Sequence, residues 1–138
     1  MSNTKDIGIL SELKVITELV EMGFIVSQPY GDNAPYDFIV DTGDKVLKVQ
    51  VKTGIEQADG SIRIPLVKRV GAKRIGRQPY YLLNVDAVIA YSRRYKEFYY
   101  IDLKKWTNEE IFLRPKSSVK RMIKSINIAE DFLLHNLI

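Results

Sequence analysis

Apolar residues between Lys5 and Met22 recur at spacings of three and four: Ile9, Leu13, Ile16 and Val20, with Leu10 and Leu19 widening the stripe. That period predicts an amphipathic helix. Asn3 or Thr4 supplies a cap at its start, and Gly23 ends it, where a left-handed residue costs little. Phe24 to Ser27 reads as a short strand, and Gln28 to Pro35, with Pro29, Gly31 and Pro35, as a loop. From Tyr36 the period changes. Tyr36 to Val40 predicts a second strand, Asp41 to Asp44 a tight turn, and Lys45 to Lys52 a third strand. In that third strand Leu47, Val49 and Val51 alternate with Lys48, Gln50 and Lys52, so Gln50 and Lys52 point to the same side.

Beyond it, Ile55 to Gly60 is a polar turn, and Ser61 to Val67 predicts a fourth strand that Pro65 assigns to a sheet edge. Lys68 to Gln78, basic and containing Gly71 and Gly76, reads as a loop. The apolar run Asp86 to Tyr91 predicts a buried strand, Ser92 to Lys96 a turn, and Glu97 to Leu103 its hairpin partner. Thr107 can cap a short helix over Asn108 to Leu113, stopped before Pro115, and a closing helix is expected over Ile128 to Asn136. A helix, a group of strands and shorter helical pieces, in that order, predict an α/β fold: a mixed β-sheet core with an N-terminal helix packed on it. The expected organisation is a single domain over residues 1–138, with its core at 5–103 and a C-terminal extension at 104–138.

Composition narrows the chemistry. The 138 residues contain no cysteine and one histidine, His135, which excludes disulfides, thiolate metal sites and a multi-histidine zinc cluster within one chain. Any bound metal is therefore held mainly by oxygen, which favours Mg²⁺ or Mn²⁺. No apolar run approaches the roughly 20 residues that span a bilayer, and the N-terminus lacks a signal-peptide core, so the expected location is cytoplasmic with no membrane partner. The net charge of +4 is weak guidance, but its distribution is informative. From Ser61 to Val85 there is no acid at all, while Arg63, Lys68, Arg69, Lys73, Arg74 and Arg77 fall in that segment. Such a run suits a polyanion.

The chemistry concentrates between Tyr30 and Thr53. Asp37 opens one apolar run, and Gln50 and Lys52 lie on the strand that follows its turn. Hydrolysis of a phosphodiester needs a cation on the scissile phosphate and a positioned water. Asp37 offers a hard anionic oxygen, Gln50 a neutral carbonyl oxygen, and Val51 its backbone carbonyl. Lys52 is a point charge able to orient the attacking water and stabilise developing phosphate charge. Glu12, at the edge of the helical stripe, can lean over the sheet and complete the anionic shell. Taken singly, Asp37 is an ordinary strand-entry acid, Gln50 and Lys52 solvated surface, and Glu12 helix solvation. Their order around one hairpin is what points to a metal-dependent phosphodiesterase.

The same residues resemble the signature of the PD-(D/E)xK nuclease superfamily, with Asp37 as its first acid and Gln50-Val51-Lys52 as its (D/E)xK element. More narrowly, Gly8, Glu12, Gly23-Phe24, Pro29-Tyr30-Gly31-Asp32, Pro35-Tyr36-Asp37 and Val49 to Thr53 together look like the group I intron homing endonucleases of that fold. Archaeal Holliday-junction resolvases are a more distant likeness. The match runs from about Ile7 to Leu103. It implies a restriction-endonuclease-like core, Mg²⁺-dependent cleavage leaving 5′-phosphate and 3′-hydroxyl ends, and a homodimer or homotetramer acting on double-stranded DNA. Two positions depart from the pattern: Gln50 stands where an acid is usual, and Tyr36 precedes Asp37 where proline is usual. The glutamine form is similar to what the homing-endonuclease group shows.

On that resemblance the catalytic residues are Glu12, Asp37, Gln50 and Lys52, and the metal ligands Asp37, Gln50, Glu12 and the Val51 carbonyl. Independently of the resemblance, if the strand Ser61 to Val67 extends from the catalytic hairpin it can enter a groove as part of a β-ribbon, with Arg63 as base reader, the lysines Lys68 and Lys73 as phosphate contacts, and Arg69, Arg74 and Arg77 completing the expected DNA-binding set. The plainer alternative is a solvated basic loop. Tyr80 and Tyr81 read as packing residues first and stacking residues second. A site-specific endonuclease, a junction resolvase and a non-cleaving DNA-binding module all remain compatible with this pattern.

Overall fold

The computed structural model describes residues 3–70 and 76–138. Its first element, α1 (Thr4–Glu21), is capped as expected: the Asn3 side chain accepts from the Lys5 N–H. Gly23 follows the helix with φ at +87°, a value that favours glycine. The buried face, however, is not the aliphatic stripe. Ser11, Val15 and Leu19 are buried, whereas Ile9, Leu13 and Val20 are each more than half exposed. The helix is turned by roughly a third of a revolution from the orientation the stripe predicts, so that Ser11, Val15 and Leu19 lie against the sheet and the Ser11 hydroxyl meets Thr53.

The strands form a central sheet in the order β1 (Ile25–Ser27), β2 (Phe38–Asp41), β3 (Val46–Thr53), β8 (Ala87–Ser92) and β9 (Glu97–Asp102). The β3–β8 pair is parallel and the others antiparallel, so the sheet is mixed. A second sheet has the order β11 (Asn127–Ile128), β10 (Glu110–Arg114), β5 (Ile62–Pro65) and β4 (Ile55–Glu56). A separate antiparallel ribbon is made by β6 (Val67–Val70) and β7 (Gly76–Pro79). The C-terminal helix α2 (Leu134–Leu137) closes the chain.

Three layers result: α1, the central sheet and the second sheet. Val15, Leu19, Phe38, Val40, Val49, Val51, Ile89 and Leu134 fill the space between α1 and the central sheet. Ile62, Ile64, Leu66, Val88, Ala90, Ile101, Ile111 and Leu113 fill the space between the sheets. Strand β8 contributes to both and is buried along its whole length, which is why it reads as a continuous apolar run rather than an alternating one.

Several local expectations change. The second strand begins at Phe38 rather than Tyr36, leaving Asp37 just ahead of it. Asn108 to Leu113 is not a helix. Ile111 and Leu113 pair with Ile64 and Ile62 as β10 while Phe112 points outward, so tertiary pairing overrides the helical start signal at Thr107. Pro65 does not mark an edge: β5 lies between β4 and β10, and Pro65 is its last residue. The basic Lys68 to Gln78 segment supplies both legs of the β6–β7 ribbon instead of a plain loop. The closing segment is a 3₁₀ turn over Ala129–Phe132 followed by the short α2, not one helix. Residues after 103 supply β10 and β11, and Ile111, Leu113, Ala129 and Leu134 among them are buried in the cores.

Candidate active site

The site forms where β2 and β3 part. Their pairing runs only as far as Phe38 with Val49, so from Gln50 onward β3 has no antiparallel partner on that side. Asp37 takes over this edge. Its N–H donates to the Val49 carbonyl at 2.9 Å, and its Oδ2 accepts from the Val51 N–H at 2.8 Å. The carboxylate is thereby fixed to the backbone of the strand that carries Gln50 and Lys52. Those two residues pair in register with Val88 and Ala90 and share with them the face turned to the second sheet. Glu12 arrives from the opposite layer. Beside it, buried Ser11 lies 2.6 Å, Oγ to Oγ1, from Thr53 and fastens α1 to the end of β3.

Electrostatics tie the pieces together. Burial pushes the Asp37 carboxyl above the usual range, against the opposing pull of the Val51 N–H and of the Lys52 charge. Glu12 is raised as well, first by burial and then by the Asp37 charge. Two half-buried carboxylates that repel one another are relieved by a cation placed between them. Glu12, Asp37, Gln50 and Lys52, with Ser11 and Gly8, line one pocket of about 510 Å³. Among the described residues no three acids or histidines gather into a metal-binding group. A cation here would therefore draw on two carboxylates, a neutral amide and a backbone carbonyl, an all-oxygen set that suits Mg²⁺ or Mn²⁺.

The basic residues divide. Lys52 and Ile55 also line an adjoining groove of about 700 Å³, whose walls include Arg63, Arg77, Glu109 and Glu110. Arg63 Nε donates to Glu110 Oε1 at 2.7 Å, and Arg77 lies 3.7 Å from Glu109, so each arginine meets a carboxylate of β10 or its approach. Arg63 is on β5 inside the second sheet, not on the ribbon. Lys68 is on β6 opposite Gln78, and the backbone of Arg69 pairs with that of Arg77. Lys73 and Arg74 lie outside the described residues.

Three participants were not legible beforehand. Tyr80, in a 3₁₀ turn directly after β7, is buried, with its ring centroid 5.2 Å from Lys52 Nζ. Burial and the Asp37 charge push its hydroxyl up to about 12. Glu109 and Glu110 fall in the segment whose capping signal predicts a helix. A tyrosine among apolar neighbours carries no local sign of a distant lysine, and two adjacent acids carry none of the arginines they meet.

A mixed sheet covered by an N-terminal helix is the restriction-endonuclease-like fold. The sequence model of the PD-(D/E)XK endonuclease family matches residues 2–135, and the chain belongs to that family. Nucleases of this family generally use divalent metal ions. Among solved structures, the chain is similar to the bacterial homing endonuclease I-Ssp6803I, with 25% identity, a TM-score of 0.77, and coverage of 96% of this chain and 89% of that one. It also shares its fold with Hjc, a Holliday junction resolvase of Archaeoglobus fulgidus, at 15% identity and a TM-score of 0.50, covering 80% of this chain and 85% of that one. No curated protein sequence gives a significant match. Among the described residues no helix is long and apolar enough to cross a membrane.

Proposed function

We propose that this nuclease is a divalent-metal-dependent endodeoxyribonuclease, site-specific on double-stranded DNA in the manner of a homing endonuclease. The observation that carries the reading is Asp37: a carboxylate seated on the Val51 N–H, coupled to Glu12 and within the field of Lys52. Glu12, Asp37, Gln50 and the Val51 carbonyl would hold Mg²⁺ or Mn²⁺, and the bound cation supplies charge neutralisation at the scissile phosphate. Asp37, pinned to the strand, holds its oxygen in one place throughout. Lys52 orients the attacking water and compensates charge that develops on the phosphate oxygens. Gln50 contributes a neutral oxygen where an acid would add charge, which limits the site's total negative charge.

Arg63, Lys68, Arg69 and Arg77, on and beside the ribbon that adjoins the groove at Lys52, are the proposed DNA-binding residues, together with Lys73 and Arg74, which lie outside the described residues and are included on their charge alone. The whole described chain acts as one nuclease domain, and two or four copies assemble so that both strands are cut. The coverage of I-Ssp6803I supports this whole-chain reading.

Replacing Asp37 or Lys52 by alanine is expected to abolish metal-dependent cleavage of a plasmid library while leaving gel-shift binding within about threefold. Wild-type cleavage by either variant overturns the assignment. Gln50 gives the non-cleaving DNA-binding module its one supporting feature. Calorimetric titration of Mg²⁺ decides between them, because a pure binder shows no uptake that disappears in Asp37→Ala. Strong preference for four-way junctions over linear duplex in the same cleavage assay would redirect the substrate to a resolvase.

A further inference from the structure

A lysine ammonium ends a flexible four-carbon stem with freely rotating donors, so a lysine that must act at one point needs something to hold it there. Lys52 stands where the Asp37 pocket and the Arg63–Arg77 groove meet, since it lines both. The Tyr80 ring centroid lies 5.2 Å from its Nζ, inside the distance at which an ammonium is attracted to a ring face.

The ring is itself immobilised. Tyr80 is 3% exposed and packs in the core between the two sheets with Leu66 and Val85. Its N–H donates to the Leu66 carbonyl at 3.1 Å, and the Leu66 N–H in turn donates to the Glu109 carbonyl at 2.8 Å. Leu66 immediately precedes β6, and Tyr80 immediately follows β7. The Leu66–Tyr80 hydrogen bond therefore clasps both legs of the ribbon at its foot, with the ring beneath the lysine.

We infer that Tyr80 is a positioning residue: it holds the Lys52 ammonium at the Asp37 pocket and joins the foot of the β6–β7 ribbon to that pocket. The inference rests on the nuclease reading above and deepens it. A load on the ribbon acts on the segment that carries the ring, so DNA seated along the ribbon bears on where Lys52 sits. Tyr80 touches no reacting atom; its effect passes through Lys52.

The test uses the full chain and two variants, Tyr80→Phe, which keeps the ring, and Tyr80→Leu, which removes it. In wild-type protein the Lys52 Hε resonances, assigned with Lys52→Arg, are expected upfield of the other lysines because they lie near a ring face. They return to the ordinary position in Tyr80→Leu and stay displaced in Tyr80→Phe. In metal-dependent plasmid nicking, Tyr80→Leu is expected to lower kcat by about tenfold with KM within about twofold, and Tyr80→Phe to recover most of that loss.

Wild-type Lys52 resonances with no ring displacement overturn the inference, and this measurement stands even where Tyr80→Leu does not fold. Tyr80→Leu cutting at the wild-type kcat, while Lys52→Ala does not cut, overturns it as well and leaves the nuclease reading intact. Undiminished cutting by Lys52→Ala overturns the nuclease reading itself, and the inference with it.

Discussion

Gly54 joins β3 to β4 at the wall of the Asp37 pocket, and its lack of a side chain is what lets the strands approach there. A Cβ at this position would stand 2.5 Å from Ile62 Cγ2 and 3.5 Å from the Tyr91 carbonyl oxygen. Ile62 is fully buried and branched at Cβ, so it cannot swing aside cheaply. Gly54→Ala is expected to destabilise the protein by about 1–3 kcal/mol, read as a lower urea midpoint at constant slope. Asp37 behaves in the opposite sense. Its carboxyl is raised in the folded state above the 3.8 of the free group, chiefly by burial, so between those two values the folded chain binds more protons than the unfolded one. Stability from this residue is thus greatest at low pH and is lost as pH rises through the elevated value. Asp37→Asn keeps an oxygen to accept from Val51 and removes the buried charge. In urea titrations it should be more stable than wild type at neutral pH, with the gap closing below pH 3.8.

At the level of elements, the ribbon and β10 share one surface. Lys68 and Arg77 lie on the ribbon, and Arg77 faces Glu109 at 3.7 Å with both side chains well exposed. An exposed pair of that kind contributes little to stability, so its loss should scarcely alter folding. In the proposed complex the cationic partner serves DNA instead. Arg77→Ala or Lys68→Ala is expected to flatten the plot of log affinity against log salt by about 0.9 for each phosphate contact removed. Unchanged slopes in fluorescence-anisotropy titrations would remove the ribbon from the DNA-binding surface. The ribbon escapes sequence reading because in Val67-Lys68-Arg69-Val70 the apolar residues are three apart and the second leg is Gly76-Arg77-Gln78-Pro79, so neither leg shows the alternation of period two that marks a strand. β10 escaped for a different reason: Ile111 and Leu113 give only one repeat of the period, too few to outweigh a capping threonine and two acids.

Across the whole molecule, stability depends on the C-terminal segment closing the α1 layer. Leu134 is fully buried in the core that also holds Val15 and Leu19, and the next residue, His135, meets Glu18 of α1 at 2.8 Å. Leu134→Ala is expected to cost about 2–5 kcal/mol, measured by urea unfolding followed by both far-ultraviolet circular dichroism and tyrosine fluorescence. The two probes should shift together, because β8 is buried on both faces and binds the two cores into one unit. Separate transitions would show that the α1 layer melts independently of the second sheet.

Sequence alone determined the parts of this protein whose signals are local. The capped helix from Thr4, the Asp41–Asp44 turn that pairs β2 with β3, the buried run of β8 and the side of β3 shared by Gln50 and Lys52 all follow from spacing and turn chemistry. The order of Glu12, Asp37 and Gln50-x-Lys52 was enough to suggest a nuclease, and the family assignment agrees with it. Only the tertiary structure decided which face of α1 is buried, since that face is set by partners distant in the chain, Thr53 beside Ser11 among them, and not by the strength of the aliphatic stripe. It likewise decided that Asp37 grips Val51 where β2 leaves β3, that Tyr80 lies beside Lys52, and that Glu109 and Glu110 meet the groove arginines. Each of those contacts joins residues far apart in the chain or depends on where a strand pairing stops, and no period or propensity within one segment carries that information.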